Sequence, residues 1–420
     1  MRDTASPQLD QLAFDLTAAQ FAGEANVARP VPQDRTAHDW YRFVLSFPPH
    51  LVRRYLARFG IEAHPMAWFA TQVKVDWTPD PKGLLEHASR VAALALSHLR
   101  REGIEEAPFG GVGAERHVAL RTLPPEQQTL LLKNSISELP LHKTLVLLEA
   151  LSSLKDERYH RHELLALAKA LVTSIGNLHF GPEVGVGPVK ADSPVISPWL
   201  SAVRAMAADL TALQRLGHDT PVTLHQADAR QVDQVVEPES VDAVITSPPY
   251  PNEKDYTRTT HLESVLLGFI TDKGSLQELK RRLVRSNTRG VYKEDDDDRW
   301  VAGHPAIQRL SEAIERRRVE LGKTSGFERL YPRVVRLYFG GMARHLAGLR
   351  RVLRPGARLA YVVGDQASYL RIMIRTGELL ADIAHSLGYE VVGIDLFRTR
   401  LATATRAHLR EEVVLLRWPG

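Results

Sequence analysis

Residues 241–250, VDAVITSPPY, restrict this chain more than any other stretch. Residues 242–245 are short, apolar and β-branched, which reads as a buried parallel strand, and Ser247-Pro248-Pro249-Tyr250 ends it at once. Neither proline has an N–H for a sheet ladder, and both hold the backbone extended, so the chain must leave the sheet there. The turn leaves the Ser247 hydroxyl and neighbouring carbonyls as acceptors off the strand's carboxyl end, with the flat ring of Tyr250 beside them. Ligands of open α/β sheets bind at that end. A proline-rich connector without chemistry is the plainer alternative.

The pattern on either side suits such a sheet. Residues 222–226, 357–363, 390–397 and 412–418 read as strands, with helices over 259–270 and 370–387 and two long ones within 301–354. The last two strands, joined by residues 398–410, make an antiparallel terminal hairpin, while the strands separated by helices imply a mostly parallel sheet. Near the N-terminus, residues 51–59 form a helix, and residues 61–74 read as the end of a strand followed by a helix, with Glu62 at the junction. Residues 78–220 carry helical periodicity almost throughout and read as an insertion between strands. The expected division is an N-terminal arm at 1–37, a catalytic domain over 38–77 and 221–420, and the helical insertion at 78–220.

Composition removes some chemistry. The 420 residues include no cysteine, which excludes disulfides, Cys-ligated zinc and thiol nucleophiles. With 44% hydrophobic and 25% charged residues the chain is of ordinary globular composition, and its net charge of +4 suits a nucleic-acid partner without requiring one. No stretch has the look of a signal peptide or a membrane span, so the expectation is a cytoplasmic protein with no membrane partner. Tyr159-His160-Arg161-His162 has no cysteine nearby and reads as a solvated helix start, with no metal.

Thr246-Ser247-Pro248-Pro249-Tyr250 closely resembles the catalytic motif of the amino-methylating DNA methyltransferases, (Asp, Asn or Ser)-Pro-Pro-(Tyr or Phe). The serine form is most typical of the cytosine-N4 branch. The resemblance covers most of residues 38–75 and 221–420 and implies a Rossmann-like α/β fold with S-adenosylmethionine as cofactor and DNA as partner. It implies methyl transfer to the N4 amine of a flipped cytosine, in restriction-modification or phage defence, with a restriction or defence-system subunit as a further partner. Adenine N6 is the nearest alternative target. Cytosine-C5 methylation, which uses a cysteine nucleophile, is excluded by the composition.

Within that resemblance Ser247, Pro248, Pro249 and Tyr250 hold the base, while Phe47, Pro48, Glu62, Asp228 and Asp365 fall at cofactor positions. Asp228 reads equally well as an acid bonding a nearby helix N-terminus. Residues 271–300 form a candidate DNA-contacting loop. Arg281, Arg282, Arg285, Asn287 and Arg289 would grip phosphates or read bases, as would Arg398, Arg400 and Arg406 in the terminal hairpin. A basic helix face without a nucleic-acid role explains residues 280–285 as well, and the acidic run at 294–298 reads as a solvated loop.

One part of the family pattern is missing. A strand and a glycine-rich Asp-Pro-Phe-x-Gly-x-Gly loop are expected between Gly60 and Ile61, where the chain runs straight on. The glycines at 109–113 and 181–187 read as connectors, since neither follows a recognisable strand. The gap predicts weak cofactor binding by this chain alone, or a DNA-binding remnant that no longer methylates.

Overall fold

The computed structural model describes residues 37–41, 59–106, 119–180, 184–216, 221–252, 254–401 and 408–420. The expectations for residues 1–36, residues 51–58 of the helix expected over 51–59, the glycines at 109–113, Phe47, Pro48 and Arg406 lie outside these, while Phe59, expected to end that helix, begins a strand, and for Arg400 the backbone alone is described.

The described residues hold eight strands: β1 (Phe59–Ile61), β2 (Leu178–Phe180), β3 (Val184–Val186), β4 (Thr223–His225), β5 (Val241–Thr246), β6 (Leu353–Gly364), β7 (Glu390–Leu401) and β8 (His408–Arg417). They form three separate sheets: β1–β4, the hairpin β2–β3, and a four-stranded sheet of order β5-β6-β8-β7. Pairing is parallel between β1 and β4 and between β5 and β6, and antiparallel elsewhere. The sheet is therefore less parallel than expected, because β8 inserts between β6 and β7.

The parallel strands are divided between two sheets. β1–β4 and β5–β6 are both parallel pairs, yet no described strand joins β1 to β5. Ile61 and Val244 still pack against one apolar core with Leu359, Tyr361 and Val414, so the two parallel pairs share an interior without sharing a ladder. The strand expected to be buried, β5, is not. Asp242 and Ala243 are exposed and its other four residues are half-buried, because no described strand covers its second edge.

The helices in chain order are α1 (Pro65–Val75), α2 (Pro81–Arg101), α3 (Pro125–Gln128), α4 (Glu138–Ser153), α5 (His160–Ala170), α6 (Ile196–Leu216), α7 (Tyr256–Thr259), α8 (His261–Leu266), α9 (Lys273–Arg281), α10 (Pro305–Glu320), α11 (Gly326–Leu349) and α12 (Thr376–Ser386). Local sequence explains their ends. Pro81 starts α2, where the Asp80 carboxylate accepts the Gly83 amide at 2.6 Å, and Leu84, Ala88, Val91, Ala95 and Leu99 form its buried face.

The insertion helices share one core with Phe69 and Val73 of α1 and with Leu262, Val265 and Leu279. The helical region thus rests against the segment that follows the Ser247 motif. Two buried polar links reinforce it: the Trp40 indole donates to Asp209 at 2.8 Å, and the Tyr41 hydroxyl donates to Glu263.

Several local expectations change. The single helix over 259–270 is two short ones, and the helix expected from 370 starts at Thr376, since Leu370 and Arg371 take φ of 56° and 64°. The polar stretch after Asp272 holds α9, started by a capping box between Asp272 and Ser275. His162, expected in solvent, is buried with a ring nitrogen 3.0 Å from the Asp76 carbonyl oxygen. Of the glycines at 181–187, Gly185 lies within β3 and Gly187 follows it, so these two sit at a strand and not at a helix start. Much of the expected hairpin loop at 398–410 belongs to β7 and β8.

Among the described residues, no helix is long and apolar enough to cross a membrane.

Candidate active site

β5 and β6 are in parallel register with Thr246 opposite Tyr361, so their carboxyl ends lie side by side. Ser247-Pro248-Pro249-Tyr250 leaves one of them and Gly364-Asp365 leaves the other. Close approach between them requires the glycine: a Cβ on Gly364 would stand 2.8 Å from Cε2 of Tyr250 and 3.3 Å from two further ring atoms. The ring of Tyr250 is therefore backed by bare main chain. All four motif residues are half-buried, and among the described residues the Ser247 hydroxyl and the Pro248 carbonyl have no hydrogen-bond partner. A pair of open acceptors beside a supported aromatic face is an arrangement that can take a planar group carrying an NH2.

The segment after the motif is tied down rather than loose. The Asn252 amide donates to the Ser286 carbonyl at 3.2 Å, and that carbonyl also accepts the hydroxyl of fully buried Tyr369 at 2.8 Å. Asn287 Nδ2 donates to the Lys254 carbonyl at 3.0 Å. Asp255 caps α7 through the Thr257 amide and pairs with Lys280 at 2.7 Å; burial pushes its carboxyl up, but Lys280 and the Thr257 hydroxyl together hold it low. From α1's side, a His64 ring nitrogen lies 2.9 Å from the Thr260 hydroxyl. Burial first and the charge of His261 second push His64 down to about 4, so its ring is neutral at pH 7.

The acids expected at cofactor positions occupy three different environments. Glu62 follows β1, donates its amide to the His225 carbonyl at 3.1 Å and accepts the His64 amide at 2.7 Å. Burial raises its pKa against the amides of His64 and Ala63. Asp228 is buried and fully engaged: it accepts the Arg230 amide at 2.9 Å, and both its oxygens lie 3.0 Å from Arg230 Nε. It caps the turn Ala229–Gln234, the helix-N-terminus role that was the alternative for it. Asp365 is wholly buried. One of its oxygens pairs with Arg375 and with Arg410 at 3.1 Å, while the other has no hydrogen-bond partner among the described residues. Buried Glu412 Oε2 likewise has none among them, and burial first and Asp365 among other charges raise the Glu412 pKa.

The basic residues separate in the same way. Arg285, expected at DNA, is 3% exposed, pairs with Asp295 at 2.7 Å and donates to the Lys280 carbonyl at 2.6 Å. Asn287, also expected there, is buried and holds the motif segment. Arg282 reaches the Gln226 carbonyl at 3.0 Å. Arg281 and Arg289 are exposed, Arg281 with its guanidinium 5.3 Å from the Tyr292 ring centre. Arg398 stands beside Tyr250, is paired with Glu411, and is held above its usual pKa by that carboxylate first and by Tyr250 after it.

The acidic run is not the solvated loop expected. Asp297 is buried and receives Arg230 and Arg344, the latter at 3.2 Å, and Asp295 receives Arg285. Much of the basic charge of residues 280–285 is thus spent internally, and a desolvated arginine there needs these partners. A cavity of about 470 Å³ lies beyond the carboxyl end of β4, lined among others by Gln226, Asp228, Arg281, Arg282 and Tyr292.

The sequence reading overlooked Gly364 as the support of Tyr250, and Lys280, Tyr369 and His64 as the ties of the motif segment. Only Gly364, a glycine at a strand end, left a local signal.

No protein-family model matches the chain. It is similar to the Type II methyltransferase M.AvaI of Nostoc sp. and of Anabaena variabilis, 28% identical over 210 residues, which covers 47% of this chain and 42% of each relative. The chain thus spans less than half the length of those relatives. It is also similar to the Type II methyltransferase M.BsoBI of Geobacillus stearothermophilus, 23% identical over 463 residues, covering 96% of this chain and 89% of that protein. Among solved structures, a DNA modification methylase of Thermus thermophilus, one form of it complexed with S-adenosylmethionine, aligns at 16–17% identity over 46% of this chain and 51–54% of that protein, with a TM-score of 0.22–0.23.

Proposed function

We propose that this chain is a DNA methyltransferase directed at an exocyclic amine, the N4 amine of cytosine. The observation that carries the reading is the pair of open acceptors, Ser247 Oγ and the Pro248 carbonyl, beside a Tyr250 ring backed by Gly364. The similarity to one Type II methyltransferase along nearly the whole chain, and to two others along about half of it, supports it. S-adenosylmethionine is the methyl donor of this chemistry.

An amine in a duplex cannot meet a donor in line, so the base must leave the stack at a cost of a few kcal/mol. Stacking on Tyr250 returns about 1–3 kcal/mol of that. Ser247 and the Pro248 carbonyl then accept the two amine hydrogens, which turns the nitrogen lone pair away from the acceptors and stabilises positive charge developing on nitrogen. Serine in place of aspartate at position 247 favours cytosine over adenine N6 by family correlation; either amine satisfies the same two acceptors.

For the donor, the residues present make part of a site and no more. Glu62 and the unpaired oxygen of Asp365 are acceptors of the right kind, but Asp228 is saturated by Arg230, and no described glycine loop brings backbone amides between β1 and β5. That break favours a second reading, a DNA-binding remnant with negligible transfer. Titration calorimetry separates the two features: we expect S-adenosylmethionine to bind this chain more weakly than micromolar. One-to-one micromolar binding would contradict the incomplete donor site. DNA binding with no transfer at millimolar donor would favour the remnant.

A role in restriction-modification or phage defence, with a defence-system subunit as partner, is part of the same proposal and rests on the Type II relatives alone.

A further inference from the structure

Three of the exposed large apolar side chains, Val319, Leu321 and Phe327, fall within nine residues at the tip of the hairpin formed by α10 and α11. At its root the hairpin is well packed: Ile307, Ser311 and Ile314 form the buried stripe of α10. Beyond that stripe it projects. Residues 319–327 are all exposed, with Gly322 at φ +60° closing the turn and Ser325 capping α11.

The charges on this hairpin are unevenly matched. Arg317, Arg318 and Lys323 pair with Glu320, Glu315 and Glu328. Arg309, Arg316 and Arg329 are exposed and have no ion pair among the described residues. Arg309 and Arg316 are seven residues apart, two turns along one face of α10, with Glu312 the carboxylate nearest them in sequence on that side. Arg329 lies in the first turn of α11, where the helix dipole also favours an anion.

The hairpin stands at the same end of the sheet as the Ser247 motif. α11 leads down into β6, whose far end carries Gly364, so the start of α11 lies at the carboxyl ends of the parallel strands. The ring of Tyr331 is 4.9 Å from that of Tyr369, whose hydroxyl meets the Ser286 carbonyl that also anchors Asn252. Arg333 binds the Asp295 carbonyl at 2.9 Å from the same side. Phe327 lies one turn before Tyr331, about 6 Å along the axis.

We propose that the α10–α11 hairpin is a DNA-contacting element, with Arg309, Arg316 and Arg329 on phosphates flanking the flipped base and Phe327 at the groove. This rests on the DNA methyltransferase reading and adds a surface outside the basic loop at 271–300. Duplex DNA is the occupant that fits, because unpaired guanidinium groups complement phosphates and a helix of about 10–12 Å diameter enters a major groove about 12 Å wide.

The test is fluorescence anisotropy of a labelled 30-base-pair duplex against salt, for the full chain, the triple variant Arg309→Ala/Arg316→Ala/Arg329→Ala, and Phe327→Ala. Three lost phosphate contacts flatten the slope of log K against log salt by about 2.7, with affinity at least tenfold weaker near physiological salt. Phe327→Ala weakens binding and leaves the slope unchanged. Circular dichroism and thermal unfolding match the wild type; should the triple variant not fold, Arg316→Gln alone is expected to flatten the slope by about 0.9. Wild-type affinity and slope in the folded triple variant overturn this proposal and leave the methyltransferase reading standing. A wild type that binds no duplex overturns both.

Discussion

Replacing Gly364 by alanine tests whether Tyr250 is positioned by the bare backbone behind it. The new Cβ would lie 2.8 Å from Cε2 of Tyr250, whereas ordinary contact begins near 3.4 Å, so the ring must retreat by about 0.6 Å. Overpacking of this kind costs about 1–3 kcal/mol of stability. The larger effect falls on the base that stacks against the ring, since a misplacement of about 1 Å costs about 100-fold in rate, and about 0.6 Å scales to roughly tenfold. The assay is transfer of labelled methyl from S-adenosylmethionine to duplex DNA at millimolar donor, read as kcat, with thermal unfolding alongside. Gly393→Ala serves as control, because a Cβ there meets nothing within 4 Å. A Gly364→Ala enzyme with kcat within twofold of wild type, in a background where Tyr250→Ala is strongly impaired, would refute this positioning role.

Two further outcomes follow from buried charge. Asp297→Ala strips Arg230 and Arg344 of a shared carboxylate while Arg230 keeps Asp228, and should lower unfolding free energy by about 1.5–3 kcal/mol in urea; a loss under about 0.5 kcal/mol would mean that the acidic run is a solvated loop after all. Burial pushes the Glu263 carboxyl up to about 7 in the folded chain, against 4.5 for an unperturbed glutamate, so the folded state holds the extra proton between these limits. Stability contributed by that group is full below pH 4.5 and is lost as pH rises through 7, by on the order of 3 kcal/mol, and Glu263→Gln should flatten this part of the profile. An unchanged slope in Glu263→Gln would remove Glu263 as its source.

The strand before the Ser247 motif, the three strands after it and most of the helices over residues 78–220 were legible because they rest on local periodicity and on prolines. The family pattern lacks a piece at Gly60–Ile61, and among the described residues no strand joins β1 to β5. What sequence could not give was pairing between distant charges. Arg285 and Asn287 have the chemistry of DNA-reading residues, and only the fold reveals that Asp295 and the Lys254 carbonyl already occupy them. Burial of β5 failed for a related reason: an apolar β-branched run implies neighbours on both edges, and one edge has none among the described residues. The role of Gly364 depends on a ring more than 100 positions away, a pairing that local sequence does not encode.

The central claim is that Ser247, Pro248 and Tyr250 hold the N4 amine of a flipped cytosine. The direct measurement is mass spectrometry of nucleosides from duplex DNA incubated with this chain and millimolar S-adenosylmethionine, wild type beside Ser247→Ala. N4-methylcytosine in the wild-type sample, reduced in Ser247→Ala, is the predicted result. N6-methyladenine as the sole product, or N4-methylcytosine at equal levels in both samples, would contradict the account.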